Sequence, residues 1–477
     1  MKSIRSMIGG AALAAIVLSA CAPQTVVVTK EVEKQVEVTK VVEVEKVVEV
    51  EKVVEATPAP ATMIKVTSTN GPDENSGTQL ARHRLLTLGF KQIRPDVEIV
   101  ANPSPFDAST FPARLAAGTL EDTYLVAFTE PQNMIANGYA ADITDLLSKW
   151  EGFSSFNPGV LQVVQDANGR VYGLPVNGYA IGLLYNRALF TEAGLDPDKP
   201  PLTWDELRET ARTIKDKTGK FGFQLMPATG EGGWLFTAIA YSFGANFIEM
   251  KDGKWTATYN DEATVRALTL LKEMLWEDET VKLVQDGVAA ATSLTNGEAA
   301  MHIKAPDLLF WMHDNLGAKV EDYGQGPMPQ AGGNATLTGG AAWLFSPKAS
   351  PEVLQAAVEW SLYRDFDLNT YELDLKTKKE RGELIGIPSL PLFTGDYQAK
   401  RDEILKQYVN VPLENFAPYM NATNITMKPE PPVEAQKLYT ELANVLGAIA
   451  SDQNADPQTL LDESVKTFQA QVLDQIK

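Results

Sequence analysis

From Met63 the chain alternates apolar and polar residues in MIKVTST, as a half-buried strand does. NGPDEN follows as a loop. Ser76 is placed to cap a helix in which Leu80, Leu85, Leu86, Leu88 and Phe90 recur at helical spacing. VEIVAN then reads as a second strand. Strand, helix and strand in such short order predict parallel pairing, because a crossover helix returns the chain in the same direction.

The same alternation continues. TYLVAF (123–128), VYGLPV (171–176), IGLLYN (181–186), FGFQLM (221–226), AAMHI (299–303) and AAWLFS (341–346) read as strands. YAADITDLLSKW reads as loop and helix. Thr203 with Glu206 forms a capping box before Leu207, Ala211 and Ile214, and Asn260 precedes a helix carrying Val265, Leu268, Leu271 and Leu275. WLFTAIAYSF is a helix after the glycine-rich ATGEGGW, and Ser350-Pro351 opens another through Tyr363. The tail from about 432 is mostly helical. This is an α/β pattern, and roughly 415 residues are too many for one hydrophobic core, so two lobes are expected.

Ahead of this region the pattern differs. Lys2 and Arg5 precede an apolar run at 7–20, the layout of a secretory signal peptide. A membrane-spanning helix needs about 20 apolar residues, more than this run offers. Leu18-Ser19-Ala20-Cys21 resembles the lipobox of bacterial lipoproteins, which implies cleavage after residue 20 and a lipid on the Cys21 thiol. Cys21 is the only cysteine, so an intrachain disulfide, a cysteine-based metal site and a CxxC redox pair are all excluded. Residues 34–56 repeat with period six (KQVEVT, KVVEVE, KVVEVE, KVVEA), which keeps no single helical face. With alternating Glu and Lys and no aromatic residue, 21–61 reads as the lipidated cysteine and a solvated stalk.

Loss of Lys2 and Arg5 with the leader takes the formal charge from −20 to −22. Such a chain repels phosphate backbones and anionic lipid surfaces, so nucleic acid is a poor partner. ATGEGGW lacks the GK[ST] ending of a phosphate loop, although its backbone N–H groups open a helix and suit an anion. His83, His302 and His313 show no metal-ligand spacing, and His302 sits inside an apolar strand as a core residue would. No GxSxG motif or Cys–His pairing appears. Neither a cofactor nor a metal is expected. Carboxylates are plentiful, which leaves a glycosidase pair open by counting alone.

YGLPVNGYAIGLLYNRALFTEAGLDPDKPPLTWDEL (172–207) carries a longer signature. It resembles the family 1 extracellular solute-binding proteins, the maltose-binding-protein-like receptors of ABC importers. RLAAGTLEDTYLV (114–126), NGEAAM (296–301), GPMPQ (326–330), TGGAAWLFSP (338–347) and GIPSLP (386–391) follow in the family's order. Glu-Asp-Thr stands where the family usually has Pro-Asp-Val, keeping only Asp122. The resemblance covers about 62–477. It implies a type II-like periplasmic-binding fold, with a ligand cleft between two α/β lobes. By order, the N-terminal lobe comprises 62–176 and 331–385 and the C-terminal lobe 177–330 and 386–477. The crossings are expected near 175–178, 327–331 and 383–390.

Parallel α/β sheets bind ligands beyond the carboxyl ends of their strands. That rule selects 70–75, 129–133, 177–179, 226–234, 304–307 and 338–340 as site loops. Joined to the family order, it makes Asn70, Glu74, Glu130, Asn177, Tyr179, Glu231, Trp234, Lys304, Asp307, Gly339 and Gly340 the candidate ligand-binding residues. Tyr179 falls where the maltose receptor has a carboxylate, and Asp307 where it has an aromatic residue, so the same sugar is in doubt. Trp234 offers an aromatic face for a sugar ring. The resemblance implies a monomeric, non-catalytic receptor that is lipid-anchored at the extracytoplasmic membrane face. It would close on a sugar and deliver it to permease subunits. A surface glycosidase, a sensor, and a receptor for a non-sugar solute are the alternatives.

Overall fold

The computed structural model describes residues 63–476, apart from Glu74, Ser76, Ala108, Ser109 and Thr423. The leader, Cys21, the stalk, the candidate Glu74 and the expected cap Ser76 lie outside the described residues.

Thirteen strands are present among the described residues. They are β1 (Ile64–Ser68), β2 (Val97–Ala101), β3 (Thr123–Ala127), β4 (Gly173–Ala180), β5 (Gly182–Asn186), β6 (Phe221–Leu225), β7 (Ile248–Lys251), β8 (Lys254–Ala257), β9 (Val281–Leu283), β10 (Ala299–Lys304), β11 (Tyr323–Gly326), β12 (Ala335–Phe345) and β13 (Thr426–Lys428). β1 pairs parallel with β2 from Ile64↔Val97 onward, as the opening strand–helix–strand pattern requires. The first sheet runs β13-β12-β3-β1-β2, with β4 also on β12, and the second runs β11-β5-β10-β6-β9. β7 and β8 form a separate hairpin whose turn residues Asp252 and Gly253 both take positive φ, the geometry that the right-handed strand twist favours.

Each sheet has its own core. Val66, Phe90, Tyr124, Leu174 and Trp360 pack together around the first. Leu183, Tyr185, Phe223, Phe236, Leu271 and Leu446 pack around the second. β5 shows why it is apolar throughout. Successive side chains point to opposite faces, so Leu183 and Tyr185 enter the second core while Leu184 enters a third cluster with Leu309, Met312 and Ile387. Every residue of β5 is buried, the pattern of a strand covered on both faces.

Local signals set the helix starts. Thr203 and Glu206 form the reciprocal capping box, and Ser350 caps Pro351–Asp365 through Val353 N. Asp261, rather than Asn260, caps Glu262–Trp276, its carboxylate accepting from Thr264 N at 2.8 Å. The same Oδ1 also accepts from the Thr264 hydroxyl at 2.8 Å.

Two strands pass between the cores. Leu174 of β4 lies in the first core, and Ile181, just beyond its end, in the second. β12 runs antiparallel to β4, with Ala335 and Leu337 in the second core and Ala342 to Phe345 in the first. This crossing therefore falls along β12 and not at 327–331, since Met328 is still buried in the second core. A third segment follows β4, with Leu390 N donating to Gly178 O at 2.9 Å. The tail beyond 386 is shared: Ile387 joins the third cluster, whereas Phe393 and Tyr397 pack in the first core. The expected loops at 177–179 and 338–340 are strand instead, because the two segments pair with each other, Tyr179 opposite Gly339.

Candidate functional site

β4 presents Tyr179 at the crossing, and the helix Gly230–Phe243 presents Trp234. The two rings meet edge-to-face at 6.0 Å between centroids. Gly339 makes room for this, since a Cβ there would lie 2.4 Å from the Tyr179 hydroxyl. Gly340 likewise accommodates Phe128 and the Asn177 carbonyl. The Asn177 side chain accepts from Ala341 N at 2.8 Å and so ties β4 to β12 where both cross.

The glycines of GEGGW serve close packing. A Cβ on Gly232 would stand 1.8 Å from Met226 O, and one on Gly233 1.9 Å from Tyr439 O. Their N–H groups donate to Thr229 O. Gly233 thus lets the helix Gly230–Phe243 dock against the helix Ala435–Ser451.

Charged groups surround the aromatic pair. Lys304, at the end of β10, makes an ion pair with Glu231 and lies 5.0 Å from the Trp234 ring centre. Asp307 stands at the start of Leu308–Leu316 and Glu130 at the start of Pro131–Ala136, and neither side chain caps its helix. Asp307 is exposed, yet neighbouring protein desolvates its carboxyl. Desolvation raises its pKa, Lys304 opposes this, and Glu231 adds to it. Burial also raises Glu130, with Glu434 adding repulsion and the Thr129 hydroxyl opposing.

Glu430 is the most perturbed carboxyl here. Burial pushes it up to about 7, against hydrogen bonds from Tyr439 and Trp234, and Glu130 adds to the rise. Burial raises the Tyr179 hydroxyl, and Glu430 and Asp307 raise it further. These interactions join Tyr179, Trp234, Glu231, Lys304, Asp307 and Glu130 into one site with Glu430 and Glu434. Asn70, at φ 54°, instead lines a recess of about 480 Å3 in the first lobe with His83, Trp343 and Arg364.

Glu430, Glu434 and Tyr439 were not among the residues expected from sequence. Their segment begins PEPP at 429–432, a carboxylate flanked by prolines, which was the available signal. Among the described residues no group of His, Cys, Asp and Glu is arranged to hold a metal ion. No described helix is long and apolar enough to cross a membrane.

Two α/β lobes joined by crossing strands, with aromatic and charged side chains gathered at the junction, define a two-lobed solute-binding protein. The chain belongs to the bacterial extracellular solute-binding protein family, whose model matches residues 76–362. This is a family of binding proteins. Maltose-bound MalE3 of T. maritima shares the fold at a TM-score of 0.65 and 23% identity, over 86% of this chain and all of that one. A probable amino-acid ABC transporter periplasmic-binding protein of Sinorhizobium fredii is 27% identical over 229 residues, 46% of this chain and 52% of the relative. The lactose-binding protein of Rhizobium radiobacter is 24% identical over 306 residues, 61% of this chain and 67% of the relative. The chain spans about half the length of several curated relatives that it matches.

Proposed function

We propose that the protein is the extracytoplasmic receptor of an ABC importer, tethered by lipid at Cys21, and that it captures a sugar or oligosaccharide for delivery to membrane permease subunits. The observation that carries this reading is the Tyr179–Trp234 pair set among Glu231, Lys304, Asp307, Glu130 and Glu430. An aromatic face matches the apolar C–H face of a sugar ring, and carboxylates accept from its hydroxyls. Glu130 belongs to the first lobe and Trp234 to the second, so closure brings both onto one ligand. Hinge closure around a ligand is a general property of periplasmic binding proteins. Only a ligand that prefers the closed form can shift that equilibrium. Glu231, Asp307, Glu130, Glu430 and Glu434 against one paired lysine disfavour sugar phosphates.

Calorimetry of the purified protein against maltose, lactose, neutral oligosaccharides, sn-glycerol-3-phosphate and amino acids tests the assignment. Saturable binding confined to neutral saccharides is expected. Binding of amino acids or phosphates alone would reject the sugar reading, and turnover of an oligosaccharide would reject a purely binding role.

A further inference from the structure

A second recess, of about 540 Å3, opens among Ala180, Thr336, Met328, Leu390, Leu405 and Met420. Strand alternation places it. Tyr179 faces Trp234 and Gly339, so Ala180 points to the opposite face of β4. On β12, Gly339 touches the Tyr179 ring while Thr336, an odd number of residues away, faces the recess. The aromatic site and the recess thus occupy opposite faces of one two-stranded ribbon.

The walls come from both lobes. Met328 is buried in the second core. Leu405 lies on the helix Gly395–Lys406, which Tyr397 anchors in the first core. Leu413, Met420 and Met427 are 38%, 54% and 41% exposed, and all three line this recess. Such a gathering of exposed apolar side chains marks a binding surface more often than chance. Two ionisable groups stand at its edge. Asp402 is engaged by Gln398 Nε2 at 2.7 Å, whereas Lys406 makes no ion pair among the described residues.

We propose that this rear recess binds a small amphipathic anion, with its apolar body against Met328, Leu390, Leu405 and Met420 and its carboxylate or sulfonate on Lys406 Nζ. An occupant behind the ribbon alters how far the lobes approach in front of it. Coupling between two such sites is reciprocal, so ligand in front also alters affinity behind.

Titrating the full-length protein with 1-anilinonaphthalene-8-sulfonate, and displacing that probe with octanoate or octanol, tests the site. Single-site saturable fluorescence is expected, with octanoate displacing about fivefold better than octanol because a charge-assisted contact is lost in the alcohol. Ser389 is an exposed lining residue. Ser389→Trp should fill the mouth and weaken the probe at least about tenfold through lost apolar contact. Lys406→Gln, at an exposed position that leaves the fold intact, should weaken octanoate about fivefold and leave octanol unchanged. Absence of saturable binding, or wild-type binding by both variants, overturns the proposal. So does self-association of the wild type that Ser389→Trp abolishes in sedimentation, which would assign the recess to a second copy of the chain.

Discussion

The Tyr439 hydroxyl donates to Glu430 Oε2 at 2.8 Å, joining the proline-flanked 429–432 segment to the helix that packs behind Trp234. The bond holds a carboxyl that burial raises from 4.5 to about 7. Below the unfolded value both states carry the proton. As pH rises toward 7, the unfolded chain ionises first, so the stability owed to neutral Glu430 is lost across that interval. Thermal melting of wild type and Glu430→Gln should therefore diverge between about pH 4.5 and pH 7, with the wild type losing ground. Tyr439→Phe removes a bond to the charged form and should shift the loss to higher pH. A pH-independent difference between wild type and Glu430→Gln would mean that Glu430 ionises normally.

Trp234 contacts Tyr179, Lys304 and Glu430 and is only partly buried. Trp234→Ala should weaken ligand binding by about 1–3 kcal/mol, the scale of one large apolar side chain. Because the ring also packs against the second core, ligand-free stability should fall by about 1–2 kcal/mol, less than for a fully buried tryptophan. Calorimetry and denaturant unfolding separate the two effects. A large stability loss with unchanged affinity would make Trp234 a core residue.

Gly233 allows the helix Gly230–Phe243 to approach the Tyr439 carbonyl more closely than any Cβ permits. The obstacle is backbone, which cannot rotate aside. Gly233→Ala should destabilise by about 3 kcal/mol or more, at the upper end for overpacking. Urea unfolding measures it, and a loss below about 1 kcal/mol would show that the two helices separate easily.

Lys304 is the cation between Glu231 and Asp307. Lys304→Met leaves both carboxylates without it. The Asp307 pKa should rise further, because Lys304 now holds it down. Its titration can be followed by carboxyl-carbon NMR. An unmoved Asp307 resonance would show that Lys304 exerts no influence there.

Lipidation of Cys21 is proposed from the lipobox resemblance at 18–21. Cys21→Ser should move the protein from the membrane fraction to the soluble one, since stable attachment needs acyl chains. Equal retention in the pellet would place the anchor elsewhere.

Much of this architecture is local information. The Thr203–Glu206 box, the Ser350-Pro351 start and the alternation in β1 depend on side chains within a few residues, so they are legible in the chain itself. The 172–207 stretch likewise carried the family, and the glycine-rich 228–234 stretch marked Trp234. Other features depend on partners distant in sequence. Gly339 looks like a loop residue until β4 pairs beside it and Tyr179 needs its missing Cβ. Glu430 looks like a solvated charge until burial, with Glu130 nearby, raises its pKa against the hydrogen bonds from Tyr439 and Trp234. Sequence periodicity reports which face of an element is buried. Packing between elements far apart in the chain determines what that face meets, and at Glu430 that enclosure sets the chemistry of the site.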